Sequence, residues 1–553
     1  MTTATVSRPQ YGFAESDRGA SDFTGTMQLL RLYLRRDRIV LPLWVILLSL
    51  PLGSTYIKST ESVYSTPEQL AGFARTILSS PAQLAMYGPI YNTTSTAAAG
   101  LWKAGMFFTL IGIATILTVI RHTRAEEETG RGELLASTQV GRYASLTAAL
   151  IVACGGAIAA GLIATVSIMG AGVEGAGALA FGLALAGSGL VFAAVAAVTA
   201  QLSANARTTR GLAFVVLAVT YTLRAIGDAR AGAGPTGPLV WLSPQGWSIQ
   251  VRALAGNHWP ILLLHVATTA VLIVVAYVLL QRRDLGAGLI AERLGAPAAG
   301  PGLAGPFGLA WRLQRGTLLA WTIGLALYGL VIGSVVHGIG DELGTSDAVN
   351  DIIGRLGGSA ALEDAFLTTG YTMLGMAASA YAISAALRLH SEETAQHTET
   401  VLTGAVARTR WAASHVVYAL LGPVVVLVIS GLFGGLTYGA AAGDIGGKLP
   451  RVLGVALVQI PAVWLFVGAA VLLFGLLPRW APVAWGVFTA GVALFFLGSI
   501  SGMPQWILDL TPYSHLPKLP GAEFTATPVV ILLVLAAVLL TMGLVAFRRR
   551  DLR

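Results

Sequence analysis

The chain has 553 residues, of which 55% are hydrophobic and only 11% charged, with a mean hydropathy of +0.72. Soluble globular domains carry about 25% charged residues, so an ordinary soluble enzyme is excluded; so is a disordered or collagen-like chain, because the 66 glycines and 23 prolines follow no strict period. The net charge of +8 rests on arginine far more than lysine, and in so apolar a chain it reads as anchors at a membrane surface and not as a nucleic-acid patch.

Residues 1–25 are polar and lack the apolar core of a signal peptide, and with 26–38 they make up the N-terminal segment 1–38. Residues 1–38 are expected to form a cytosolic N-terminus ending in an amphipathic elbow helix. Arg31, Arg35 and Arg38 fall on one face of it, with Leu29, Leu30 and Tyr33 mostly opposite. Apolar runs long enough to cross a bilayer follow near 39–57, 99–120, 144–170, 175–200, 211–227 and 260–281. Cys154 is the single cysteine and lies inside one of these runs, which excludes an intramolecular disulfide or a CxxC site. The stretch 284–311 is rich in Gly, Ala and Pro and reads as a cytosolic linker. Further runs lie near 317–338, 366–388, 411–436, 452–477, 481–500 and 527–547. The expected fold is an all-α polytopic membrane protein, with twelve transmembrane helices in two tandem six-helix halves, 39–283 and 312–553.

Short signatures support the repeat. Glu126-Glu127, Glu133 and Arg142 reappear as Glu392-Glu393, Glu399 and Arg408, an offset of 266 residues. Leu242-Ser243-Pro244 matches Leu510-Thr511-Pro512, and Arg282-Arg283-Asp284-Leu285 matches Arg549-Arg550-Asp551-Leu552. Trp44 and Trp321, each preceded by a basic cluster, are 277 apart, so the first half has a longer first outer loop. With both termini inside, 25 of the 35 lysines and arginines fall on inner segments, which supports cytosolic termini in the plasma membrane and an even number of spans. Repeats of the same sense imply a pseudo-twofold along the membrane normal, with a pathway between the halves.

The longest polar interruption of the first half is 121–142, with carboxylates first and an apolar stripe (Leu134, Leu135, Val140) after them. Carboxylates near a helix start are favoured by its dipole. A short amphipathic helix over about 126–142 is therefore expected along the inner surface, with a copy over about 392–408. Its presence at matching positions in both halves points to docking of a cytosolic partner. The pattern Glu126-Glu127, Gly132-Glu133-Leu134-Leu135, Val140-Gly141-Arg142 resembles the cytosolic signature of type-2 ABC exporter permeases. The fused twelve-span form is similar to actinobacterial antibiotic-export permeases of the tetronasin-resistance type. The resemblance implies a permease subunit that moves an amphiphilic drug or antibiotic out of the cell, served by two copies of a separate cytosolic ABC ATPase. It makes Glu126, Glu127, Glu133, Arg142, Glu392, Glu393, Glu399 and Arg408 the ATPase-coupling residues. The glutamates would orient each coupling helix and pair with ATPase cations, and the arginines would anchor its far end. The second copy departs from the pattern, with Thr400 and Val401 in place of Leu134 and Leu135.

No P-loop is present: Gly447-Lys448 lacks both the upstream glycine and the following Ser or Thr. No cofactor is therefore expected in this chain, and ATP and Mg belong to the partner ATPase. No catalytic or metal motif appears either. Lys103, Arg224, His265, His337 and His415 lie in or beside the runs, where ionisable groups are candidates for transport roles. No run carries an Asp–Arg couple or paired carboxylates at its middle, which argues against an ion-coupled secondary transporter. Export of a lipid or glycan is a further alternative. Trp102, Phe107, Phe108, Tyr371, Met373 and Met376 occupy corresponding spans and are candidates to line a substrate cavity.

Overall fold

The computed structural model describes residues 22–551, apart from 65, 80, 131–138, 232–233, 285, 291–294, 296, 304, 338–358 and 502–504. The chain forms two compact units, Met1–Leu294 and Gly295–Arg553, and the boundary falls inside the segment 284–311. The described residues hold eleven helices long and apolar enough to cross a membrane, so the protein is an all-α polytopic membrane protein.

In unit 1 the elbow helix α1 (Thr26–Arg36) buries Leu29 and Tyr33 and leaves Arg31, Arg35 and Arg38 exposed. The spanning helices are α2 (Val40–Val63), α3 (Thr96–Glu128), α4 (Ala144–Gly170), α5 (Gly175–Leu202), α6 (Ala206–Ala231) and α7 (Trp259–Gln281). Regular α-geometry in α2 gives way to a π turn over Leu52–Ile57, just after Pro51. Proline has no N–H to offer the preceding turn. Gly53 lets the wide turn press against α4, where a methyl group would lie 1.8 Å from the Ser167 carbonyl oxygen. Alanine and glycine dominate α5, the most buried spanning helix of the unit, because small residues let neighbouring backbones approach. The segment after α2 forms helices Pro67–Ser79 and Pro81–Tyr87 around a small apolar cluster of Leu70, Ile77, Leu84 and Trp102. Its shorter counterpart in the second half falls largely outside the described residues.

In unit 2 the spanning helices are α8 (Pro306–Val336), α9 (Glu363–Thr394), α10 (Arg408–Ala442), α11 (Ile445–Leu476) and α13 (Ala526–Arg549), with the apolar helix α12 (Val483–Ser501) before the last of them. The linker ends earlier than expected, because α8 starts at Pro306 and runs for 31 residues without an elbow break. The helix α10 continues through Pro423. Close packing of α8 on α10 depends on glycines four residues apart. A methyl group on Gly329 would lie 2.4 Å from the Ser430 carbonyl oxygen, and one on Gly333 2.0 Å from that of Gly434. Gly475 and Gly543 play the same part between α11 and α13.

A test follows from this packing. Gly333→Leu should prevent unit 2 from reaching a stable fold, seen as loss of the monodisperse peak in detergent chromatography. Gly324→Leu, at an exposed position on the same helix with nothing within 4 Å, should leave the peak unchanged.

Candidate functional site

At the end of unit 1 that carries α1 and the last turn of α7, one carboxylate gathers three helices. Glu127, at the end of α3, accepts from Arg283 through both oxygens, at 2.7 and 2.9 Å. It also accepts from Arg124 at 2.8 Å. Arg283 reaches Gln201 on α5 at 2.7 Å. Arg124 is fully buried; it donates to the Ala200 carbonyl on α5 and, at 2.7 Å, to that of Ala287 beyond α7. Arg142 closes the arrangement by donating to the terminal carbonyls of α7 at Leu280 and Gln281, both at 3.0 Å, and to that of Arg283 just beyond it at 2.8 Å. Those carbonyls have no partner within their own helix, and a cation there also suits the helix dipole.

Unit 2 builds the same clasp from the repeated residues. Arg550 grips Glu393 with two bonds of 2.7 and 2.5 Å, and Arg408 donates to the Arg550 carbonyl at 3.0 Å. The Arg550 guanidinium stacks over Phe474 and Phe547 at 4.9 and 5.1 Å. Paired in this bidentate way, arginine matches a carboxylate better than lysine can.

The two units differ around the clasp. In unit 1, Arg36 pairs with Glu126 at 2.7 Å, and Asp37 pairs with Arg121 and His122 at 2.9 and 2.6 Å, so α1 is strapped to the end of α3. Tyr33 stacks on His122 with ring centres 4.3 Å apart and bonds Ser145. Burial pushes the Tyr33 phenol above its ordinary pKa, an effect partly offset by the Ser145 bond. In unit 2, Glu392 is held locally by Arg388 and His397, at 2.6 and 3.1 Å. Gln314, at the repeat position of Asp37, meets His415 at 3.3 Å on α10.

The surface helix expected over about 126–142 lies outside the described residues at 131–138; the described acidic residues of both repeats are placed as follows. Glu126 and Glu127 sit on a short helix, Arg124–Glu128, that ends the α3 span and turns at left-handed Gly130. Glu392 and Glu393 sit on Arg388–Thr394, which ends at left-handed Gln396 in the same repeat position. The acidic pairs therefore close a spanning helix instead of opening a surface helix, because buried arginines draw them back towards the bundle. Glu399 does lie in the first turn of a following helix, His397–Leu402, and is exposed. Glu133 falls outside the described residues. Arg283 and Arg550 were legible only as repeated basic anchors; that each repeat also returns an acidic pair at nearly the same offset, one residue different, was the signal that they are partners.

The aromatic candidates are mostly core. Trp102 donates to the Gly88 carbonyl at 2.6 Å, Phe107 packs edge-on to Tyr56, Phe108 packs on Phe181, and Tyr371 bonds the Ser430 carbonyl at 3.2 Å. Met376 is buried, while Met373 is exposed on the helix surface. Of the ionisable candidates, Lys103 lies over the Phe73 ring, His265 bonds Ser248 and Pro244, and His337 pairs with Glu363. An acid–base couple does sit on a spanning helix. Because α6 runs on to Ala231, Arg224 and Asp228 share it, both buried and 3.2 Å apart near its end. Arg224 also donates to the carbonyls of Ala85 and Met86.

Long apolar helices in two repeated bundles, with the same charged clasp closing one end of each, define a polytopic membrane permease. The chain is 57% identical, over 553 residues and the full length of both chains, to the multidrug efflux system permease protein Rv1217c of Mycobacterium tuberculosis (strain ATCC 25618 / H37Rv). Residues 303–548 match the family described as multidrug efflux system permease Rv1217c, C-terminal domain. The chain belongs to this family of permeases.

Removing one partner of a buried pair strands the other charge, at a cost on the order of 3 kcal/mol. Arg550→Ala should therefore lower the thermal unfolding midpoint clearly, Arg550→Lys less so, and the double change Glu393→Ala with Arg550→Ala less than the two single changes added together. A double-mutant cycle in detergent measures this coupling.

Proposed function

We propose that this chain is the membrane subunit of an ATP-driven exporter that moves amphiphilic drugs or antibiotics out of the cell. Two copies of a cytosolic ABC ATPase, each holding ATP and Mg, dock on the segments that follow Glu127 and Glu393, and the protein lies in the plasma membrane with both termini cytosolic. The observation that carries this reading is the recurrence of one clasp in both repeats. It joins the segment after each second span to the end of each sixth span, so a push on that segment is transmitted to a whole membrane helix. Glu127, Glu393, Arg142 and Arg408 then transmit movement within the chain, and exposed Glu399 is left to meet a partner's cations. The efflux role is supported by the name of the full-length relative.

Gentle detergent extraction of the tagged chain, followed by mass spectrometry, should recover a soluble P-loop ATPase in stoichiometric amount. The pair Glu133→Ala with Glu399→Ala should reduce that recovery at least severalfold while the chain still inserts; unchanged recovery and transport would sink the docking assignment. Ion-driven flux by the chain alone in liposomes would establish a secondary transporter instead.

A further inference from the structure

The end of unit 1 opposite the clasp holds a small pocket that the coupling scheme does not use. Helix Pro244–Gln250 leads into a loop in which Arg252, Leu254 and Asn257 all take left-handed backbone angles, with φ of 50°, 64° and 48°. Side chains other than glycine persist in this region only where their surroundings hold them. Here Asn92 donates to the Leu254 carbonyl at 2.6 Å, the Asn257 side chain accepts from Leu254 N–H at 3.0 Å, and His258 N–H donates to Val251 at 2.7 Å.

The conformation sets the Arg252 guanidinium 4.3 Å over the Tyr91 ring. Arg252 donates through Nε and Nη2 to Gln250 at 3.3 and 3.2 Å, and the Gln250 amide donates to the Tyr91 hydroxyl. Among the described residues no carboxylate pairs with Arg252; nearby Asp228 is held by Arg224. A positive charge is thus fixed at the edge of a cavity of 70 Å³ whose walls include Tyr91, Asn92, Trp102, Phe108 and Phe181. Water occupies about 30 Å³ in the liquid, and a cavity of about 150 Å³ takes benzene. The space therefore suits a small head group beside that charge.

We propose that this pocket is an anion-anchoring subsite. Arg252 receives the carboxylate or phosphate head of an amphiphile, and Trp102, Phe108 and Phe181 meet the first atoms of its chain. Treating that amphiphile as exported cargo rests on the efflux reading; binding at the pocket does not.

The test uses the full chain in phosphatidylcholine nanodiscs, with no ATPase, so its outcome is independent of whether an ATPase partner exists. Calorimetric titration with dodecanoate and dodecyl phosphate should show binding, and methyl dodecanoate should bind at least tenfold more weakly. Arg252→Gln should weaken both anions at least tenfold and leave the ester unchanged, while Arg252→Lys retains part of the affinity. Ala98→Leu, which fills the cavity without changing any charge, should abolish anion binding even if Arg252→Gln fails to fold. Loss of dodecanoate binding in nanodiscs containing phosphatidylglycerol would assign the site to a lipid head group, and undiminished binding would assign it to a cargo amphiphile. Equal affinity for ester and anions, or wild-type anion affinity in Arg252→Gln or Ala98→Leu, would overturn the proposal.

Discussion

The bond between Glu127 and Arg283, repeated as Glu393 and Arg550, is the constraint on which the end of each helical bundle depends. Both glutamates and both arginines are largely withdrawn from water, where an unpaired ion costs several kcal/mol. Each pair can therefore exist only with its geometry complete. Completing it requires the end of the second span, the end of the sixth and, in unit 1, the end of α5 to meet at one place. Arg142 and Arg408 then use carbonyls that the sixth span's own helix leaves free, so charge pairing and helix capping reinforce each other.

The apolar parts of the bundles meet a different constraint. Lipid competes equally for apolar side chains, so helices are drawn together by close backbone approach. This is why glycine recurs at the contacts of α8 with α10 and of α11 with α13, and why α5 is built of alanine and glycine. Where a proline interrupts, as at Pro51, the backbone widens into a π turn and a neighbouring glycine absorbs the distortion. The two repeats share the clasp yet differ at the elbow. Asp37 breaks the chain between α1 and α2 because Arg121 and His122 hold it, whereas Gln314 lies within an uninterrupted α8. One substitution of a charged residue by a neutral one thus accompanies a separate elbow in one copy and a continuous helix in the other.

Most of the helices were legible in the sequence because the cost of exposing backbone to lipid forces long apolar runs into helices. The runs near 144–170 and 175–200 match α4 and α5 closely. The weakest, near 211–227, proved part of a helix reaching Ala231, because Asp228 is neutralised by Arg224 one turn away and need not leave the bundle. The clasp was half legible: its acidic members stood out as a repeated motif, while its arginines looked like ordinary interface anchors. The surroundings of the aromatic candidates were not legible for a related reason. Spacing along a helix puts Trp102 and Tyr371 on some face, but neighbours decide whether that face meets a cavity or a packed wall.

The sequence by itself determined the class of the protein, the tandem repeat, and the acidic and basic residues that recur in both halves. These follow from composition and periodicity, which the solvent reads locally. Only the tertiary structure decided that Glu127 and Glu393 face inwards to Arg283 and Arg550, residues more than 150 positions away. It also decided that Arg252 stands over Tyr91, with no carboxylate paired to it among the described residues. A charge buried in an apolar bundle takes whichever partner the packing of other helices brings within reach, and nothing in its local sequence specifies that partner.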